Sequence, residues 1–268
     1  MPLHGSRVHG FGDRIRITEG AKTTSKVRHR EGMARCPTNW ASLQNALEEL
    51  YTERGIDKEF ESDASYLWEA HQRVEELWHG AFGRAPFVRF VLLAEAPTWG
   101  PKESYFYNPA AGTTSFFSYS DATPLVGELT ETSTMESGVR PRKAEMIERL
   151  TAAGFVVLDL FPFSFNPSQT AVNYRQFSAA PAYKRLFEKI VGFHLSPKLE
   201  LVKEKLACRS SFVFRYARVR DGLLSEVRTI LAERRLIAPE ETIRSVHKGR
   251  NLDRERLARL FLELGQDV

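Results

Sequence analysis

Two short apolar runs, Phe87 to Ala94 (FVRFVLLA) and Phe155 to Phe161 (FVVLDLF), constrain this chain more than any other feature. Each has the length and the β-branched and aromatic content of a strand. Neither alternates with polar residues, so both faces of each must be covered. Helical sequence supplies the cover. Leu43, Ala46, Leu47, Leu50 and Tyr51 recur at helical spacing, as do Leu67, His71, Val74, Leu77 and Trp78. A helix over Arg142 to Ala153 places Met146, Ile147 and Leu150 on one face, with Gly154 as its stop. Further helices are expected near Pro181 and Pro197, with proline at the first helical position. Ser211 to Val219 reads as a third strand, Gly222 to Arg235 as a helix and Glu241 to His247 as a fourth strand. Asn251 is then expected to cap a last helix carrying Leu257, Leu260, Phe261 and Leu264. Strands that alternate with helices predict an α/β fold, a three-layer α/β/α arrangement around a central, mostly parallel four-stranded sheet.

Composition narrows the classes. With 42% hydrophobic and 27% charged residues, a largely disordered chain is excluded. No stretch approaches the eighteen or so apolar residues that span a bilayer, and Met1 to Gly10 lacks the apolar core of a signal peptide. A cytoplasmic chain without membrane contact, and a monomer, are the expectations. Two cysteines, Cys36 and Cys208, are too few for a disulfide framework, a four-cysteine zinc site or an iron–sulfur cluster, so chemistry without metal or cofactor is expected. A net charge of +4 permits nucleic-acid binding without requiring it. The charge is concentrated early: Arg7, Arg14, Arg16, Lys22, Lys26, Arg28, Arg30 and Arg35 face only Asp13, Glu19 and Glu31. Residues 1–38 therefore read as a basic N-terminal arm and 39–268 as a single α/β domain. The long Gly, Pro, Ser and aromatic stretch after the first strand, to about Val139, has the size of a functional loop.

In parallel sheets ligands bind beyond the carboxyl ends of the strands. Three stations lie there: Ala94-Glu95-Ala96-Pro97-Thr98 after strand one, Asp159 leading into Pro162 after strand two, and His247-Lys248-Gly249-Arg250-Asn251 after strand four. Two acids and a histidine converging on one crevice suit many hydrolases. Asp159 stands out, since an acid inside an apolar strand is costly to bury without partners.

The order and spacing of these stations resemble the uracil-DNA glycosylase superfamily. Its cluster-containing branch carries Gly-Glu-Ala-Pro-Gly after strand one, where this chain has AEAPT at Ala94 to Thr98. About a dozen residues later the family places an aromatic that stacks on the everted base, the neighbourhood of Tyr105, Phe106 and Tyr107. Asp159 stands where the family has an Asn that reads the pyrimidine edge, and His247 where it has the histidine of the second motif, with Lys248 in place of proline. The resemblance covers roughly residues 87 to 265. Departures are the missing cluster cysteines, Ala94 for a motif glycine, and Ala96 where other branches carry a catalytic Asp or Asn, which leaves Glu95 as the local carboxylate.

The resemblance implies a monofunctional DNA glycosylase that everts a base from double-stranded DNA. Cleaving an N-glycosidic bond builds positive charge on the sugar and negative charge on the leaving base. Glu95 would orient water and stabilise the sugar cation, and His247 would donate to pyrimidine O2. Tyr105, Phe106 or Tyr107 would stack on the base, and Lys248, Gly249, Arg250 and Asn251 would meet phosphates. An ionised Asp159 offers only acceptors, which suits the amino group of cytosine rather than O4 of uracil, and Thr98 leaves room at the pyrimidine 5-position. The expected substrate is a 5-substituted cytosine, such as a glucosylated hydroxymethylcytosine, in a role such as defence against phage. The alternatives are a uracil-DNA glycosylase of base-excision repair and a non-catalytic DNA-binding module on the same fold.

Overall fold

The computed structural model describes residues 40–130, 138–177, 181–249 and 251–265, all of them within one compact unit spanning Arg35–Val268. The basic N-terminal arm lies outside the described residues.

The chain opens with α1 (Trp40–Glu53) and the long α2 (Phe60–Gly83), then enters β1 (Val88–Ala94). The stretch read as one loop contains α3 (Tyr119–Val126), which begins with a capping box between Ser118 and Asp121. Next come α4 (Pro141–Ala152) and β2 (Phe155–Asp159). Gly154 joins them at φ +76°, and a Cβ there would lie 2.6 Å from the Phe87 ring, so glycine is required on both counts. Then follow α5 (Tyr174–Phe177), α6 (Pro181–Ile190), α7 (Leu195–Glu204) and β3 (Leu206–Phe214). The long α8 (Ala217–Glu233) leads to β4 (Arg244–Ser245), a hairpin of β5 (His247–Lys248) and β6 (Asn251–Leu252), and α9 (Arg254–Glu263).

The central sheet has four strands in the order β2-β1-β3-β4, every pair parallel, with helices on both faces. The three-layer α/β/α expectation is met. On one face Phe90 stacks on Phe155 at 5.3 Å, and Phe261 of α9 meets both rings. Among the described residues no helix is long and apolar enough to cross a membrane.

Several boundaries differ from the sequence expectation. The third strand ends at Phe214, and Ala217 to Val219 already belong to α8. The alternating SFVFRYARV pattern masks that change because Arg215 is itself buried. α7 begins at Leu195, so Pro197 sits within its first turn rather than at its first position. His247 lies beyond β4, in the separate hairpin. Asn251 is a strand residue, and the cap of α9 is Asp253, whose carboxylate accepts from the Arg256 amide at 3.1 Å.

The outer edge of β2 needs partners, because an unpaired parallel edge strand exposes backbone donors and acceptors. The Tyr107 hydroxyl accepts from the Val157 amide at 2.7 Å, and Trp78 Nε1 donates to the Val157 carbonyl at 3.0 Å. Two side chains thus replace a fifth strand.

Candidate active site

β1 lies at the centre, the connection to β2 leads to one side of it, and β3 and β4 lie on the other. The reversal of direction falls between β1 and β3, where a crevice opens beyond the strand ends. A cleft of about 940 Å³ occupies that place. Its floor is Glu95 to Trp99, directly after β1. One wall is Tyr216, Ala217 and Arg218, where β3 turns into α8. Phe165 to Pro167 and Asn173 to Arg175 form another wall, and Phe116, His247 and Gly249 complete the mouth.

Glu95 sits where the β1–β2 backbone pairing still continues. The Leu160 amide donates to the Ala94 carbonyl and the Phe161 amide to that of Glu95, at 3.0 and 2.9 Å. Its carboxylate is only 12% exposed. Oε1 accepts from the Tyr183 hydroxyl at 2.8 Å, and Oε2 accepts from Nη2 of Arg218. Burial pushes the carboxyl above the usual range, against the opposing pull of Arg218, the Tyr183 hydroxyl and Arg175. A carboxylate partly stripped of water and aimed into a cleft is a stronger base than a solvated one.

His247 lines the same cleft, with Nδ1 enclosed and making no hydrogen bond among the described residues. Its backbone is set by the hairpin, where His247 pairs with Leu252 and Lys248 with Asn251. Gly249 makes that turn at φ +62°, and a Cβ there would meet nothing within 4 Å, so backbone conformation alone calls for glycine. Thr98 is an exposed part of the cleft, its hydroxyl donating to the Ser104 carbonyl at 2.8 Å. Lys248 and Asn251 are exposed on the hairpin, off the cleft lining, and Arg250 lies outside the described residues.

Asp159 does not join this site, and the expectation that three side chains share one cavity is corrected. Ala94 and Asp159 are register partners, so the pleat turns their side chains to one face and that of Glu95 to the other. Asp159 is 2% exposed and accepts from the Tyr105 hydroxyl at 3.0 Å. Burial raises its carboxyl to about 7, opposed by Lys198 and by the Tyr105 hydrogen bond. It borders a buried cluster in which Lys198 donates to Glu75 at 2.6 Å and His194 Nε2 donates to the Asp159 carbonyl at 3.0 Å. His71 completes the group, its pKa lowered to about 4 chiefly by burial. The partners that an acid in a strand requires are therefore structural.

Tyr105, Phe106 and Tyr107 are likewise core residues rather than a stacking platform. Tyr105 holds Asp159, Tyr107 caps the β2 edge, and Phe106 packs edge-on against Phe117 at 5.5 Å. The aromatics that do line the cleft are Trp99, Phe116, Phe165, Tyr174 and Tyr216. Arg215, buried beneath them, donates to the carbonyls of Phe116 and Ser115 at 2.9 and 3.1 Å and fixes that part of the mouth. Sequence reasoning passed over Tyr183, Arg218 and these aromatics. The one local signal was an arginine in the first turn after an apolar strand.

Compared with protein-family models, curated proteins and solved structures, the chain matches none.

Proposed function

We propose that this chain is a DNA glycosylase that hydrolyses the N-glycosidic bond of a 5-substituted cytosine everted from DNA, leaving an abasic site. The observation that carries the reading is that Glu95 and His247, distant in sequence, line one cleft at the reversal point of the sheet. In this reading Glu95 accepts a proton from water as the oxygen attacks C1′, and it stabilises the positive charge on the sugar. The bond to the base breaks, and His247 donates toward O2 of the departing pyrimidine. The cleft, near the upper end of the range for small-molecule sites, suits a base that carries a bulky substituent. Its aromatic lining offers stacking in place of the neighbours lost on leaving the duplex. With Asp159 turned away, support for a substituted base moves to the size of the cleft and to Thr98 at its rim.

The test is base release from duplexes containing uracil, cytosine or glucosylated hydroxymethylcytosine, read as alkali-labile strand breaks. Breaks at the substituted cytosine are expected. Glu95→Gln and His247→Ala are each expected to lose about 10²–10⁴-fold in turnover while still binding DNA. Breaks confined to uracil would refute the substituted-base reading, and full activity in both variants would refute the assigned roles. One observation favours a second reading: both oxygens of Glu95 already have donors, as in a purely structural carboxylate. Salt-sensitive DNA binding without release of any base would select that non-catalytic module.

A further inference from the structure

Glu95 is held by two donors of different kinds. Tyr183, from α6, is a buried neutral hydroxyl, whereas Arg218, in the first turn of α8, is a cation whose side chain is 39% exposed. We propose that Arg218 exchanges partners on binding: it holds Glu95 until a phosphate of the substrate strand draws it away, so that the substrate releases the carboxylate that acts on it. This inference rests on the glycosylase reading and adds to it a requirement for a phosphate beside the scissile nucleotide.

Three observations support the exchange. First, apart from Glu95, the hydrogen bond that Arg218 makes is a long one of 3.4 Å to the Tyr174 carbonyl. Arg215, by contrast, is clamped between two carbonyls and buried, as a structural arginine is. Second, Arg218 and Arg175 line the same cleft, and the hydrogen bond shown for Arg175 is made by its backbone amide, to Oδ1 of Asn173 at 3.1 Å, rather than by its guanidinium. Two guanidinium groups in one cleft match a phosphodiester, whose two non-bridging oxygens accept from the planar fork of arginine. Third, Tyr183 still holds Oε1 once Arg218 leaves, so Glu95 stays in position while it loses its cation. The groups that then face it are Tyr183 from α6, Tyr174 and Arg175 from α5, and Tyr216 at the start of α8. With Arg175 also drawn to phosphate, burial acts on the carboxylate almost unopposed, and its basicity rises where water is to be activated.

The experiment follows the side-chain carboxyl of Glu95 by carbon-13 NMR in the full chain labelled at glutamate, assigned through Glu95→Gln. The probes are inorganic phosphate and a thymidine trinucleotide. In the parent protein each probe is expected to raise the titration midpoint of Glu95 by about one pH unit, the lower end of what an opposite charge contributes. In Arg218→Gln the midpoint is expected to be raised already and to respond to both probes only by the smaller part that Arg175 contributes, while Arg218→Lys keeps an intermediate response. An unmoved midpoint in the parent, or an undiminished response in Arg218→Gln, overturns the exchange. If Arg218→Gln does not fold, the parent and the lysine variant decide the matter. The readout needs no turnover, so the two ideas fail separately. Base release with an unresponsive Glu95 removes the exchange alone, and a responsive Glu95 without base release removes glycosylase activity alone.

Discussion

Replacing Lys198 by methionine tests the account of the buried cluster beneath β2. Lys198 is 3% exposed, its ammonium lies 2.6 Å from Glu75 and 4.9 Å from the centre of the Trp78 ring, and Glu75 is 13% exposed. Burial alone would push the Glu75 carboxyl up. Lys198 reverses this, helped by His79, His194 and His71, and the carboxyl is held well below its usual range. Methionine keeps the volume and the contact with Trp78 but leaves Glu75 charged without its cation, since His71 and His194 are kept neutral mainly by burial. Removing one partner of a buried pair costs about 3–5 kcal/mol. At roughly 2–4 °C per kcal/mol for a domain of this size, the melting temperature should fall by about 6–20 °C. The pH dependence gives a second reading. In the parent, a depressed carboxyl contributes stability that is present above its unfolded pKa and lost as pH falls through the folded value. In Lys198→Met the carboxyl is raised, so its contribution is full below the unfolded pKa and is lost as pH rises. The gap between the two proteins should therefore narrow from pH 8 to pH 5, as measured by urea unfolding at each pH. Adding Glu75→Gln should recover most of the loss, because the uncompensated charge is gone. A loss under about 1 kcal/mol at pH 8, or a gap that widens on acidification, would refute the reasoning.

Asp159, with its carboxyl raised to about 7, contributes stability that is full below its unfolded pKa and is lost as pH rises through 7. Asp159→Asn, which can still accept from Tyr105, should leave base preference unchanged and make the protein more stable than the parent at pH 8 in thermal melts; a switch of base preference would return Asp159 to the site. Phe165→Ala and Phe116→Ala, which remove cleft aromatics, should each weaken binding of a duplex bearing an everted base by about 1–3 kcal/mol, while Tyr105→Phe should not. Equal losses in all three, measured by fluorescence anisotropy, would contradict the assignment of walls and core. If Glu95 must be ionised to act, kcat/KM should fall as pH drops through the raised pKa of Glu95 in the free protein, and Arg218→Gln should move that acidic limb to higher pH.

The layers were legible because the apolar runs at Phe87 and Phe155 have no polar face and can only be strands covered on both faces. Glu95 and His247 were legible because a ligand crevice lies where strands end. Asp159 was misplaced for a reason internal to sheets: whether two strand-end acids share a face depends on register, and Ala94 rather than Glu95 proves to be its partner. Tyr105 to Tyr107 have the composition of a stacking platform, but the same rings serve a buried acid and a bare strand edge, which only the packing of the edge strand reveals. Tyr183 and Arg218 reach Glu95 from 88 and 123 residues away along the chain, a distance over which no periodicity carries information.

The two principal groups of the cleft rest on unequal footings. Glu95 stands directly after the central strand, its backbone still tied to the residues that follow β2, while His247 stands on a hairpin of two paired residues per strand, joined to the body by β4 and by the Val246 amide on the Phe214 carbonyl. Hydrogen exchange should separate them, with the Phe161 amide slow and the Lys248 and Asn251 amides fast. A cleft with one stiff jaw and one compliant jaw can close around occupants of different girth without disturbing the anvil against which they are broken.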